Sequence, residues 1–425
     1  MNLSTRWLPK IPTGWQIANP KSLFSERTQK STQSDVHLTP SQKLGVLPQS
    51  EYMELTGGSV VLNLTGSDNM KHVEKNDFII HLRSFQGGIE HSNYSGKVSN
   101  AYCVLKPTKQ IEPRYFRWVL KSQGYIQELN ATTDQLRDGQ SIKFEQFASI
   151  GLPLPPIEEQ RRIADYLDRR SSQIDKILAT KEQQIDLLKQ EVQTSFTGFF
   201  GHPIFSGAEA KESRRLGPCL WVNEGGYWGD DPTGENDTLV LRSTEITSRG
   251  KWRELNNGAY RSLNFEFGTK HLLQRDDIVV TKASGSLDHI GKAALVTPEI
   301  VSLGASFGNF MQRLRVNREI FLPEYICHFL RSTNARTQLQ YMGTTSTGLF
   351  NISAELLNDL QVPVVSLSEQ HHIVKLLEEL ESRFEARVSL IEESIKLFED
   401  LKLATISEAV TGKLMFESLK GLVNV

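Results

Sequence analysis

The sequence predicts an α+β chain. Two mixed α/β domains are separated by two long antiparallel helices that pair as an intramolecular coiled coil, and the whole carries a pseudo-twofold internal repeat. Three observations predict this. First, the stretch opening Pro153-Leu154-Pro155-Pro156-Ile157-Glu158-Glu159-Gln160 returns as Pro363-Val364-Val365-Ser366-Leu367-Ser368-Glu369-Gln370, at a constant offset of 210 and without a gap; such repeats decide architecture before any local reading. Second, both copies continue with apolar residues at heptad spacing. Third, each copy follows a segment of short β-prone runs punctuated by Gly, Asn and Ser. The division is residues 1–152, a first mixed domain; 153–200, a central helical spacer; 201–362, a second mixed domain; and 363–425, a C-terminal helical spacer.

The helices come first because they organise the rest. Leu377, Phe384, Ile391 and Phe398 recur every seven residues, with Val388 and Ile395 between them. In the first copy Leu167, Ile174 and Leu188 keep that period, and Leu178 and Ile185 interleave. Each set forms an apolar seam on an otherwise charged surface. Lys181 interrupts the first seam where the second has Ile391. Prolines stand just ahead of both helices, and Ser366 with Glu369 forms a capping box. From Ile157 to Ser195 the first helix would run roughly 58 Å. Two matching seams in one chain bury most simply against each other; a coil between chains is the alternative.

Residues 1–152 open with the proline-punctuated lead-in Pro9 to Trp15. Residues 31–57 are turn-rich and polar. Ser59–Leu64, Asp77–Leu82 and Ala101–Leu105 read as strands around a Gly/Ser/Asn/Gln-rich loop from Ser84 to Ser99. Pro113–Gly124 and Tyr125–Leu129 read as helices. Residues 201–362 repeat the plan: Thr238–Arg242, Asp277–Thr281 and Ala293–Val296 are strands, Ser284–Gly291 is a glycine-rich loop, and the helix Pro323–Ser332 matches Pro113–Ser122 at the same offset.

Composition bounds the function. With 48 Lys+Arg against 50 Asp+Glu the chain is no general polycation. Residues 1–150 hold 17 basic against 13 acidic side chains, and residues 357–425 hold 7 against 12. Binding to nucleic acid would therefore rest on local patches or on a basic partner. No run of about 18 apolar residues is present, which predicts no membrane span. No signal pattern opens the chain, and Cys103, Cys219 and Cys327 lack metal spacing, so buried thiols in a cytoplasmic protein are expected. Catalytic motifs are missing: Gly285–Lys292 is mis-spaced for a phosphate loop, and no HExxH, GxSxG or GxGxxG run occurs. His371 and His372 stand where the first copy has Arg161 and Arg162, which marks solvated polar positions. No catalytic residue and no metal site is expected.

These marks together resemble the specificity subunit of type I restriction-modification systems over essentially the whole chain. The resemblance rests on Leu8-Pro9 to Gly14-Trp15, the Pro153–Gln160 opening, its copy ending in Glu369-Gln370, and the closing Ala409-Val410-Thr411-Gly412-Lys413. It also rests on two patterns like those of target recognition domains, Phe85–Ile89 to Ser99–Tyr102 and Asp277–Val280 to Ile290–Leu295. Val364-Val365-Ser366 departs from the family's usual second proline. The resemblance implies that each mixed domain reads one half of a bipartite double-stranded DNA target. The paired helices would be a ruler and a docking face for two modification (methyltransferase) subunits. S-adenosylmethionine, ATP and Mg would belong to those and to restriction/translocase subunits, with no cofactor in this chain. Polar and basic loop residues are the candidates for DNA contact. They are Arg83, Gln86, Ser92, Tyr94 and Lys97 in the first domain, and Arg242, Ser243, Thr244, Lys251, Lys282, Ser284 and Lys292 in the second. The alternative reading is a non-catalytic scaffold joining two protein-binding domains.

Overall fold

A computed structural model describes residues 3–8, 10–57, 70–82, 84–108, 110–132, 142–201, 212–247, 249–255, 258–263, 270–283, 290–343 and 352–414. The expected strand at Ser59–Leu64 and most of the Ser284–Gly291 loop lie outside these residues. The chain forms two units, residues 1–181 with 392–425, and residues 182–391, so the boundary falls within both long helices.

In the first unit an antiparallel four-stranded sheet has the order Phe24–Glu26, Cys103–Pro107, Phe78–Ile80, Glu90–His91. The second unit repeats that order as Leu220–Gly225, Met311–Val316, Ile278–Thr281, Ala293–Leu295. The repeat thus reaches into the middles of the domains, where the offset is no longer constant: 200 from Phe78 to Ile278 and 209 from Leu105 to Leu314. Phe78 pairs with Leu105 as Ile278 pairs with Leu314. Both central strands start from the same device. Asn76 and Asp276 hold φ of 76° and 69°, a left-handed turn that Asn and Asp tolerate better than most residues. The next residue, Asp77 or Asp277, accepts the Glu74 or Gln274 backbone N–H at 2.8 Å. Both carboxylates are buried and meet an arginine, Arg27 at 2.6 Å and Arg315 at 2.7 Å. Burial pushes the Asp77 carboxyl upward, against the pull of Arg27.

The domains diverge outside these sheets. The first adds two antiparallel pairs, the hairpin Leu38–Ser41 with Gly45–Pro48 and the non-consecutive strands Lys71–Val73 with Gly96–Val98. The second adds a three-stranded sheet, Ala259–Arg261, Thr238–Leu241 and Ser306–Phe307. Residues 31–57, which composition reads as turns, therefore hold a strand pair and the helix Gln49–Thr56. Only Leu38 and Val46 of that pair are buried, and the helix buries nothing, so no apolar period advertises either.

The first long helix runs Ile157–Phe200 and the second Leu367–Val410. The first passes the expected Ser195 because Phe196 and Phe200 still find a core to enter. Each domain core is closed by the start of one helix and the end of the other. In the first unit Ile163, Ala164 and Leu167 join Ile406, Ala409 and Val410. In the second Phe196 and Phe200 join Ile373, Val374 and Leu377. Between the ends the helices pair antiparallel within each unit. Asp175 meets Lys402 at 2.6 Å, and Lys181 lies over the Phe398 ring at 5.6 Å. Leu188, Phe384 and Val388 form a buried cluster flanked by Ile185 and Ile391. Of the seam residues, Leu167, Ile174, Leu188, Leu377, Phe384 and Val388 are buried, and Leu178, Ile185, Ile391, Ile395 and Phe398 are half-buried.

The sequence marks converge on a repeated clamp. The buried Gln160 amide accepts the Glu112 N–H at 2.9 Å and donates to the Pro155 carbonyl at 2.8 Å. Gln370, its copy, accepts the Leu322 N–H at 2.8 Å and donates to the Val365 and Ile320 carbonyls. The Tyr115 hydroxyl lies 3.4 Å and 3.3 Å from the Pro153 and Val410 carbonyl oxygens, and the Tyr325 hydroxyl donates to Pro363 O at 3.1 Å. Trp15 of the lead-in donates to Glu159 at 3.1 Å. At Gly412, whose φ is 73°, an added Cβ would strike Pro12 at 2.4 Å, so the closing motif requires glycine against the lead-in.

Two outcomes test this packing. Phe384 is buried in the cluster with the Arg249 guanidinium 4.2 Å from its ring centroid. Phe384→Ala should destabilise the full chain by about 3–5 kcal/mol, read by denaturant titration; an unchanged midpoint would mean that the seam is not packed. The second concerns pH. Burial, with the nearby Arg117 and Lys75 charges, pushes His91 down to about 4, and burial beside Arg331 pushes His328 down to about 3. Each is neutral when folded and binds a proton more readily when unfolded. Stability is therefore present above the ordinary histidine range and is lost as pH falls from about 6.5 toward 4, by up to about 1.4 kcal/mol per pH unit for each group. Melting from pH 7.5 to 4.5 should show this loss, and His328→Gln should flatten it.

Candidate DNA interface

Of the described candidate residues, Gln86, Lys282 and Lys292 lie where the chain leaves and re-enters the central strand pair of each four-stranded sheet, and the others lie elsewhere in the domains. In the first domain the chain leaves the central strand at Ile80, turns through the short helix Ser84–Gly87 and returns at Glu90. Gln86 is exposed on that helix. Arg83 lies outside the described residues. Ser92 is fully buried; its hydroxyl donates to Tyr94 O at 2.7 Å and accepts the Tyr94 N–H at 3.2 Å, shaping the loop itself. Tyr94 is half-buried, and its hydroxyl donates to Glu51 at 3.3 Å. The Glu51 charge raises the Tyr94 phenol's affinity for its proton. Lys97 is 8% exposed within the strand Gly96–Val98. Ser92, Tyr94 and Lys97 thus share one segment.

In the second domain Arg242, Ser243 and Thr244 form one turn around Glu245. That carboxylate accepts the Arg242 guanidinium at 2.6 and 2.8 Å, the Arg242 backbone N–H, and the Thr244 hydroxyl at 3.3 Å. Arg242 and Thr244 are exposed and Ser243 is half-buried. Lys251 turns to the second long helix instead: its ammonium lies 2.6 Å from a Glu385 oxygen, and Arg249 approaches the same carboxylate at 3.6 Å. Lys282 and Lys292 flank the hairpin of Ile278–Thr281 with Ala293–Leu295, joined by the Thr281 N–H to Lys292 carbonyl bond of 2.8 Å. Lys292 is buried, whereas Lys282 is half-buried. Ser284 lies outside the described residues. The structure thus brings Lys282 and Lys292 together and sets Lys251 apart from them.

Three residues at this sheet end had no place in the sequence reading: Asn223, Phe310 and Gln312. Gln312 is 3% exposed and donates from its amide to Asn223 Oδ1 at 2.6 Å, and Asn223 donates onward to Ala354 O and Asn358. Phe310 is 61% exposed in a turn beside it. The one signal was a polar residue inside the strand run Met311-Gln312-Arg313-Leu314. Polar residues alternate along most half-buried strands, so the signal does not single out a site.

Each domain also grips its helix through charge. In the first unit Asp168 accepts Arg117 at 2.5 Å and Trp118 Nε1 at 2.8 Å, and Arg114 reaches Asp165 at 2.8 Å. In the second Arg331 meets Glu381. Beside Asp168 and Asp175 the first unit has a cleft of about 1320 Å³ that also reaches Lys43, Lys121 and Lys402. The three cysteines are buried; burial pushes the Cys103 thiol up to about 12 and the Cys327 thiol to about 11, which keeps both protonated. Among the described residues no helix is long and apolar enough to cross a membrane.

A family model described as the type I restriction modification DNA specificity domain matches residues 12–187 and again residues 240–393. The chain belongs to this family. It carries two DNA specificity domains and is a DNA-recognition subunit. Among known proteins it is similar to the EcoKI specificity subunit of Escherichia coli, at 23% identity over 95% of this chain and 90% of that one. It is also similar to the StySPI specificity subunit of Salmonella potsdam, at 24% over 74% of this chain and 68% of that one. In fold it resembles a chain from a study of assembly and conformational transition in a type I R-M system, with a TM-score of 0.72 over 96% of this chain and all of that one at 15% identity. The HsdS subunit from Thermoanaerobacter tengcongensis gives 0.51 over 96% and 99%, also at 15%.

The Glu385 pair separates helix contacts from candidate DNA contacts. Lys251 is more than half exposed, so the pair contributes only about 0–1 kcal/mol. Lys251→Ala should leave the melting temperature nearly unchanged and, in the complex with modification subunits, leave the preferred DNA sequence unchanged. A changed sequence preference would show that Lys251 leaves Glu385 to touch DNA.

Proposed function

We propose that this chain selects the DNA sequence acted on by a type I restriction-modification complex. Each mixed domain reads one half of a bipartite duplex target, and the paired long helices dock two modification subunits, with restriction/translocase subunits joining them. The observation that supports this best is the repeat: one sheet order and one glutamine clamp occur twice, while the added strands and loops differ. A constant frame with variable loops suits two readers of different half-sites. The relatives named as specificity subunits of type I restriction enzymes point the same way.

In this reading the chain is non-catalytic and cytoplasmic. S-adenosylmethionine would bind the modification subunits, and ATP and Mg the translocase, so the chain contributes only placement. Its formal charge of −2 fits a subunit that shares phosphate neutralisation with basic partners.

The test is a domain exchange. Residues 201–362 are replaced by the matching segment of a relative, and methylated sites are mapped in DNA from cells that express the chimera with its modification subunit. One half-site should change and the other should persist. A change in both would show that the domains do not read independently. Methylation without sequence preference would favour a scaffold joining two protein partners.

A further inference from the structure

Resting on the reading that the second domain recognises duplex DNA, we propose that Lys282 and Gln312 together read one base pair of its half-site. In the major groove Lys282 donates to a purine acceptor, and Gln312 Oε1 accepts from an exocyclic amine, N6 of adenine or N4 of cytosine. Four observations build the site. Among the described residues the Lys282 ammonium has no carboxylate or carbonyl partner, unlike Arg242, Lys251 and Arg313 of the same domain. The Gln312 amide is oriented: its nitrogen is spent on Asn223 Oδ1, which is itself fixed through Ala354 and Asn358, so its oxygen is the free end.

Both groups converge on a floor without side chains. A Cβ on Gly225 would lie 3.0 Å from Lys282 Nζ and 3.5 Å from Gln312 Oε1. On Gly226 it would strike the Gly308 and Phe307 carbonyls at 2.3 and 2.4 Å, so glycine is obligatory there. Finally, the backbone is held on both sides: the Lys282 N–H donates to Phe310 O at 2.9 Å, and the Ile352 N–H donates to Lys282 O at 2.8 Å. A donor and an acceptor side by side on a rigid platform match the neighbouring acceptor and donor of a base edge.

The equivalent place in the first domain is built differently. Where Val280 pairs with Gln312, Ile80 pairs with Cys103. The nearby lysine, Lys71, is occupied by Glu26 at 3.3 Å and by the Tyr102 carbonyl at 2.8 Å. One frame thus holds a free donor–acceptor pair in one domain and a neutralised lysine beside a thiol in the other, as expected where the frame is shared and the reading is not.

The experiment uses the full chain with its modification subunits and a duplex library randomised over the target, comparing wild type, Lys282→Met and Lys282→Arg. Methylated sequences, salt dependence and melting temperature are measured. Lys282→Met should fold normally and lose about five-fold or more of the discrimination at one base pair of the second half-site, the low end for one good contact. The other half-site should be unaffected, and Lys282→Arg should keep discrimination at that position. A uniform loss at every position with a shallower salt dependence would identify a phosphate clamp and overturn the proposal, as would an unchanged profile. If the wild-type complex selects no sequence, the reading of the whole chain fails before that of Lys282.

Discussion

The buried side-chain amide at the first turn of each long helix is the constraint on which the rest depends. Gln160 and Gln370 each satisfy a donor and an acceptor that the chain leaves open where it turns from strand into helix. A buried amide left without partners costs roughly 1–3 kcal/mol, so each glutamine holds its proline-rich lead and the neighbouring domain in one geometry. The tyrosines follow from that geometry, since the Tyr115 and Tyr325 hydroxyls meet carbonyls that the same turn places. With start and end of different helices closing each core, neither domain can be completed by residues contiguous in sequence.

Around this frame, charge does two separate tasks. Asp77 and Asp277 are buried in tight turns, where they bind backbone N–H groups and an arginine at once. Removing one member of such a buried pair strands the other in low dielectric, so these pairs specify the start of each central strand. Of the contacts between domain and helix, Arg331 with Glu381 is largely buried and the other ion pairs are half-exposed or exposed, and the two units use different residues for them: Arg114, Arg117 and Trp118 in the first, Arg331, Arg249 and Lys251 in the second. The exposed pairs among them are screened and contribute little energy, so they can differ between repeats without disturbing the frame.

Much of this was legible in the chain. The offset of 210 located both helices, the apolar period located the seam, and the quoted marks turned out to be contacts: Trp15 with Glu159, Gly412 against Pro12, and the paired glutamines. The hairpin and helix within residues 38–56 were not legible, because they bury almost nothing and so leave no periodic trace. The candidate interface was legible only as a composition of loops. Ser92 and Lys97 share their residue types with exposed loop positions, yet they are buried, and nothing in their neighbours along the chain distinguishes them.

The sequence by itself determined the two-fold plan, the family and the places of the two helices, because repeats and heptads are properties of one dimension and survive in any correct fold. Tertiary structure decided which polar groups are spent and which are free. Lys251 and Lys282 are alike in sequence terms, but one finds Glu385, 134 positions away, and the other finds an open glycine floor. A charge is neutralised by whatever lies within a few ångströms, and for these residues every such neighbour comes from a distant part of the chain.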